Sequence, residues 1–378
     1  MSIPELPSLK FDAVHSVYTG RKALSPFHEC YANKDTILRL AAGRFFAHYN
    51  GEDIEEAYWA LRNRAALFDV PEKPVEISGP DVIEFLDQIF TRQSDQLKVG
   101  SGHYTLACTY NGGLFMDGIL FRLDEKKFWF VHPDGDLDTW FLAHSHNYEV
   151  SISDPQSRVL QVQGPKSLAI INTATNGSVD QTMGYFKAGV FTIAGHSVLI
   201  SRTGWTGELG YEIYTLGQNT DYKRLWNELI RSGKKYGMVF SSMQAMNIRR
   251  IEAGILDSGS DFDVSMTPDE AGLHRFIDKD KKYFIGHDAI KKRNKDSRIH
   301  GVLTGSYIPK SGDLVHDGKN ALGYITTGAY SPAFEAGIGY VRFDLAEDRL
   351  GKNYYIGALE SSKHNCTIVA LPFYDKNK

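Results

Sequence analysis

The sequence has little of what marks a secreted, membrane-spanning or nucleic-acid-binding protein. Its 378 residues include only three cysteines, Cys30, Cys108 and Cys366. They are widely separated and odd in number, which argues against a disulfide framework or a cysteine zinc site and fits reduced structural thiols. No apolar run reaches the roughly 18 residues that a membrane-spanning helix needs. The start MSIPELPSLKFD lacks the charged-then-apolar order of a secretory signal. A cytoplasmic protein without a membrane partner is expected. The formal charge is -4, with 42 basic and 46 acidic residues interspersed, so there is no basic stripe for a phosphate backbone and nucleic acid is not an expected partner. What is present describes a well-cored globular chain: 42% hydrophobic, 12% aromatic and 23% charged residues, with 35 glycines and 13 prolines. The length exceeds what one core organises, so two or three packed domains are expected.

Two stretches share one pattern. PVEISGPDVIEFLDQIF near residue 80 and VLQVQGPKSLAIINTA near residue 165 each begin with alternating apolar residues, turn on a Gly-Pro pair and continue at helical spacing. A strand-turn-helix unit used twice predicts a pseudo-symmetric α+β body in which equivalent helices cover antiparallel sheets. Between the units, HYTLACTYNGGLFMDGILFRLDEKKFWFVHPDG reads as a meander cut by turns at residues 111–113 and 124–127. TDYKRLWNELIRSGKKYG reads as an amphipathic helix with Leu225, Leu229 and Ile230 inward. From HGVLTG onward, short alternating strands separated by glycine turns predict a small C-terminal β-barrel or sandwich. The expected division is a body over residues 1–295, built of two interleaved α+β domains, and a barrel over residues 296–378.

Two features carry potential chemistry. Alternation along residues 114–123 puts Phe115, Asp117, Ile119 and Phe121 on one face, so a carboxylate interrupts an apolar row. Such a group is a candidate for proton or charge management; the alternative is an Asp at a bulge or strand end, bonded to backbone amides. The second feature is SRTGWTGELGYEI, residues 201–213, with glycines at 204, 207 and 210. Its spacing is not that of a dinucleotide or Walker loop. It offers Trp205 and Tyr211 for packing against a flat ring, and Glu212 as a carboxylate able to accept two parallel N–H bonds from a pterin edge. The alternative is a glycine-rich hairpin with a solvated Glu.

SRTGWTGELGYEI, RRIEAGILDSGSDFDVSMTPDEAGL followed by KKYFIGHDAI, the early ALFDV and GSGHYTLACTYNGGLFMDGILF, and the late YSPAFEAGIGYV with LPFYD occur in one order over residues 60–375. Together they resemble the aminomethyltransferase, or glycine-cleavage T-protein, family. The resemblance implies a three-domain cloverleaf of the α+β class, antiparallel sheets with covering helices plus a small C-terminal β-barrel, and one-carbon transfer to N5 of tetrahydrofolate as the cofactor. Asp117 falls on the family's essential aspartate and Glu212 on its pterin-binding glutamate. Tyr104 falls in a region that also lines the family's folate site, beside the candidate ring-packing aromatics Trp205 and Tyr211. A small-molecule methyl or aminomethyl donor is the implied partner, with a monomer or homodimer as the assembly.

The chain also departs from the pattern. The family carries an arginine four residues ahead of the one in RLEAG, and that position here is Met246. Trp205 stands where RTGYTGE usually has tyrosine, and Met116 replaces the first of an Asp-Asp pair. These changes look more like the family's folate-dependent demethylases, such as dimethylsulfoniopropionate demethylase. The expected activity is therefore demethylation of a small S-, N- or O-methyl compound, with glycine-cleavage aminomethyl transfer as the alternative. A non-catalytic folate-binding relative is disfavoured because KKYFIGHDAI lacks the cysteine of the KGCYxGQE motif such proteins carry. His144 and His146 have no third ligand at a metal-site spacing, and the acidic run 257–263 reads as a capped turn, with Asp261 or Asp263 facing substrate as the lesser alternative.

Overall fold

The computed structural model describes residues 23–132, 137–217, 219–292, 296–359 and 363–373. The signal-peptide reading of the first residues and the end of LPFYD lie outside them. Beside a small three-stranded sheet of Ala23–Leu24, Arg44–Asn50 and Thr36–Ala41, two antiparallel-dominated sheets and a closed barrel make up the body of the chain. The first sheet runs Ser101–Cys108, Leu114–Asp124, Lys127–His132, Lys73–Ser78 and Ser151–Ser153. Its first three strands are the meander read from the sequence. The second sheet runs Ala188–Ile193, His196–Ser201, Gly210–Thr215, Val159–Gln163, Ala66–Val70 and Val239–Phe240, with only the last pair parallel. Six strands between Ile299 and Val369 close the C-terminal barrel. This is the α+β architecture expected, with a barrel rather than a sandwich at the C-terminal end.

Strand, Gly-Pro turn and helix occur twice, once in each sheet. Lys73–Ser78 leads into the helix Val82–Ile89, and Val159–Gln163 into Ser167–Ala174. Both turns pivot on a glycine with positive φ, +141° at Gly79 and +119° at Gly164. A Cβ at either would sit within 3 Å of backbone carbonyl oxygens, so no larger residue fits. Each helix covers the outer face of its sheet. Phe85, Leu86 and Ile89 pack with Phe128 and Phe130 in one core, and Ile170 and Ile171 pack with Leu160, Ile213 and Leu225 in the other. Leu225 and Leu229 come from the amphipathic helix Tyr222–Lys234, which Asp221 caps by accepting from the Arg224 N–H.

The inner faces of the two sheets meet. Phe121, Trp129 and Val131 of the first share a buried cluster with Phe68, Val159, Leu199 and Tyr214 of the second. The barrel docks through Ile299, Ile338 and Tyr340, which pack on Leu106, Leu114, Ile251 and Phe262. One expectation needs correction along Leu114–Asp124. Asp117, Ile119 and Phe121 do share a face, but Phe115 packs with Trp140 under the outer helices, because the register shifts by a residue opposite Ala107 and Cys108 and breaks the alternation.

Candidate functional site

Where the two sheets, the helix Met243–Glu252 and the barrel converge, they leave a cavity of about 1720 Å³. Tyr104, Asp117, Glu212 and Trp205 all line it, so four residues distant in sequence are brought to one place. Tyr211 is not among the lining residues. Alternation along Gly210–Thr215 turns Glu212 and Tyr214 toward the inter-sheet side, and Tyr211 toward the core under Ser167–Ala174, where its ring is fully buried. Expecting the Tyr211 ring to pack on a ligand neglected this alternation.

Asp117 is 7% exposed. Its Oδ2 accepts from the Tyr104 hydroxyl at 2.6 Å, a pairing that the antiparallel register creates by setting Tyr104 opposite Ile119 and Leu106 opposite Asp117. Its Oδ1 is buried with no hydrogen-bond partner among the described residues. Burial pushes the carboxyl up to about 7; the Tyr104 hydrogen bond opposes this, and the nearby Asp257 carboxylate adds to it. The Tyr104 phenol is held well above its ordinary range by burial and by Asp117. Near neutral pH the Asp117 carboxyl is thus poised to take or release a proton, with one oxygen available to do so. The Tyr104 ring is fixed edge-on against Phe276, 4.4 Å between centroids.

Glu212 is engaged by the protein itself. Oε2 accepts from Thr203, from Tyr214 at 2.6 Å and from Ser201 at 3.4 Å, and Oε1 accepts from Gln161 at 2.8 Å. Two parallel bonds from one ligand to both oxygens therefore have no room, since Oε2 is filled and only Oε1 keeps an acceptor position. Burial raises this carboxyl, with the hydroxyl donors opposing. The Gln161 side chain also donates to Glu72 at 3.2 Å, bridging two cavity-lining carboxyls. Sequence reasoning missed Glu72; its one signal is an acid between two prolines directly after the buried strand ALFDV. The glycines of SRTGWTGELG serve packing more than ligand approach. A Cβ at Gly204 or Gly210 would lie 2.1 Å from the Gln163 side-chain amide, which holds the loop by donating to the Thr203 carbonyl and accepting from Thr206.

Trp205 lies against the guanidinium of Arg250, 5.3 Å from its ring centroid. Arg250 is buried and fixed by Asp261, Asn247 and Thr327, and Asp261 also accepts from Thr326 and the Asp257 N–H. Asp263 pairs with Arg342 at 3.0 Å, and hydrogen bonds from Arg342 and Ser265 hold its carboxyl down at about 2 against the opposing effect of burial. Asp261 and Asp263 are therefore structural, and Asp257 is the acid of that run that reaches the cavity. Arg249 bonds Glu208 at 2.8 Å and Glu252, and Glu252 also accepts from Tyr58 and from Ser331 of the barrel. RRIEAG thus ties the loop that carries Glu208, the helix Ile54–Asn63 and the barrel together beside the cavity. Met246 is fully buried in the inter-sheet cluster and is not among the cavity-lining residues. His144 bonds the Trp140 carbonyl at 2.8 Å, and no cluster suited to a metal occurs among the described residues.

The family described as GCVT N-terminal domain matches residues 32–281, and the one described as glycine cleavage T-protein C-terminal barrel domain matches residues 298–375. A protein named aminomethyltransferase from Thermoanaerobacter pseudethanolicus is 32% identical over 368 residues, covering 91% of this chain and 99% of its own. Another of that name from Corynebacterium aurimucosum is 30% identical over 337 residues, covering 85% and 90%. The crystal structure of glycine cleavage system aminomethyltransferase T from Bartonella henselae superposes with a TM-score of 0.84 at 22% identity, covering 94% of this chain and 98% of that one.

Proposed function

Because the chain belongs to the glycine-cleavage T-protein, or aminomethyltransferase, family, we propose that it is an aminomethyltransferase in which Asp117 manages the proton of the carbon-transfer step. At the level of class it is a tetrahydrofolate-dependent one-carbon transferase. The residues present fit that cofactor. The cavity exceeds the roughly 300–1,000 Å³ of an ordinary ligand pocket, as an elongated ligand requires. Carboxyl oxygens of Asp117 and Glu72 without a hydrogen-bond partner among the described residues lie in its wall, and Arg39 and Arg275 line it where an anionic tail needs cations. When bound, tetrahydrofolate supplies a moderately nucleophilic amine at N5.

The chain's own residues then have separable tasks. Glu212 and its neighbours hold the pterin edge and fix the ring's orientation. Asp117 Oδ1 accepts the proton that leaves N5 as the new N–C bond forms, and its charge stabilises the cation developing there. Tyr104 keeps the other oxygen in place, so the acid cannot turn away from the reacting atom. For a sulfur-bound aminomethyl donor the transferred carbon ends as a methylene bridge on the folate, with ammonia and the thiol released, which balances atoms and charge. The buried Asp117 Oδ1, without a hydrogen-bond partner among the described residues, is the observation that carries this reading.

A demethylase reading keeps support from Met246, which stands in place of an arginine, and from Trp205. Against a cationic sulfonium or ammonium donor, the Trp205 ring is already occupied by Arg250, and Arg39, Arg62 and Arg275 also line the wall. The product discriminates the two. Incubation of the protein with tetrahydrofolate and an aminomethyl donor should give 5,10-methylenetetrahydrofolate, whereas 5-methyltetrahydrofolate formed from a methyl donor would replace the aminomethyl reading with the demethylase one. A cytoplasmic setting is part of the proposal, supported by three free thiols. No helix among the described residues is long and apolar enough to cross a membrane.

A further inference from the structure

The carboxylate row Glu72–Gln161–Glu212 gives the cavity wall more acceptor capacity than one pterin-holding glutamate supplies. The edge of a pterin carries three N–H donors, one on N3 and two on the exocyclic 2-amino group. Glu212 offers a single open position, because three hydroxyls fill its Oε2 and Gln161 takes part of Oε1. The second carboxyl of the row has its Oε1 tied to the same Gln161 nitrogen at 3.2 Å and its Oε2 buried without a hydrogen-bond partner.

We propose that Glu72 is a second pterin-edge residue, taking the 2-amino group while Glu212 takes N3–H. The inference deepens the folate reading and rests on it. Glu72 is built to point one way. Pro71 and Pro74 flank its segment, and the Arg44 guanidinium donates to its backbone carbonyl at 2.6 Å, so that cation acts on the carboxyl only from a distance. No ion pair reaches the Glu72 carboxyl among the described residues. A carboxyl with a buried oxygen and no ion pair costs stability, which a purely structural position would avoid with an amide or an apolar residue. Burial and the adjacent Glu212 push this carboxyl up to about 8, with its own backbone N–H and Arg44 opposing and Asp69 adding to the rise. It is mostly protonated in the free protein near neutral pH, and N–H donors from a ligand favour its ionised form.

The test compares tetrahydrofolate with its 2-desamino analogue, in which hydrogen replaces the 2-amino group, by calorimetric titration of the full chain. Wild type should prefer tetrahydrofolate. Glu72→Met, of similar length but without an acceptor, should weaken tetrahydrofolate binding about 10- to 100-fold, as expected for loss of a hydrogen bond to a charged group. Its affinity for the analogue should stay within about threefold of wild type, since the missing partner group is on the ligand. Glu72→Gln keeps one neutral acceptor and should fall between. Equal loss on both ligands would make Glu72 merely structural, and unchanged affinity for tetrahydrofolate would remove it from the site; either result overturns the inference and leaves the folate reading standing. Absence of tetrahydrofolate binding by the wild type would overturn both.

Discussion

Replacing Tyr104 with Phe isolates the proton chemistry from the architecture. The ring contact with Phe276 survives the change, and what is lost is the 2.6 Å hydrogen bond to Asp117 Oδ2. That bond favours the ionised carboxylate, and a hydrogen bond to a charged group contributes about 1.5–3 kcal/mol. At about 1.4 kcal/mol per pKa unit, its loss moves Asp117 up by about one to two units. Starting from about 7, the carboxyl of the variant titrates near 8 to 9. At pH 7 the fraction able to accept a proton falls from about one half to between about 1 and 10%. The pH profile of kcat/KM reports the free enzyme. Its acidic limb should shift upward by the same one to two units, with the rate at pH 7 reduced about 5- to 50-fold and restored above pH 9. A limb that stays in place, or a loss equal at every pH, would refute the assignment of Asp117 as the titrating base.

Asp117→Asn should behave as a stabilising change that destroys function. Its folded-state value near 7 lies above the ordinary 3.8, so the native state binds more protons than the unfolded chain between those values and stability falls as pH rises through that window. About three units correspond to at most about 4 kcal/mol. The variant should therefore match wild type in thermal melts near pH 4 and exceed it at pH 8, and an unchanged difference across pH would contradict the burial argument. Glu212→Gln should weaken tetrahydrofolate binding by about 1–3 kcal/mol and also lower Tm, because Thr203 and Tyr214 lose part of their acceptor; calorimetry and melting check the two effects separately. Arg249→Met should cost about 3–5 kcal/mol of stability in denaturant titrations by leaving the buried Glu252 with only the more distant Arg62, at 3.7 Å, as a cation, and a cost below 1 kcal/mol would show that Arg62 and Tyr58 suffice.

Much of the architecture was readable because it is locally encoded. The Gly-Pro pairs at 79–80 and 164–165 mark where strand periodicity gives way to helical periodicity, and Asn111-Gly112-Gly113 marks the hairpin that presents Asp117. The depth of the acid in its apolar row was visible for the same reason. What was not readable depends on contacts between distant segments. The hydroxyls of Thr203 and Tyr214 that fill Glu212 Oε2, and the Gln161 amide that joins it to Glu72, come from a loop and two strands whose pairing no single segment specifies. Tyr211 was misplaced although its spacing from Glu212 held the answer, since adjacent residues of a strand face opposite ways. Phe115 left its row because the register shift opposite Ala107 and Cys108 is a property of the pair of strands, not of either one.

The central claim is that Asp117 handles a proton on folate instead of holding the cavity together. Single-turnover transfer from a sulfur-bound aminomethyl donor to saturating tetrahydrofolate, measured in Asp117→Asn beside a calorimetric titration of tetrahydrofolate alone, tests it most directly. The account predicts transfer slowed by at least about 100-fold, the scale of a lost general base, with folate affinity within about threefold of wild type. Transfer at the wild-type rate, or loss of rate explained entirely by loss of folate binding, would contradict it.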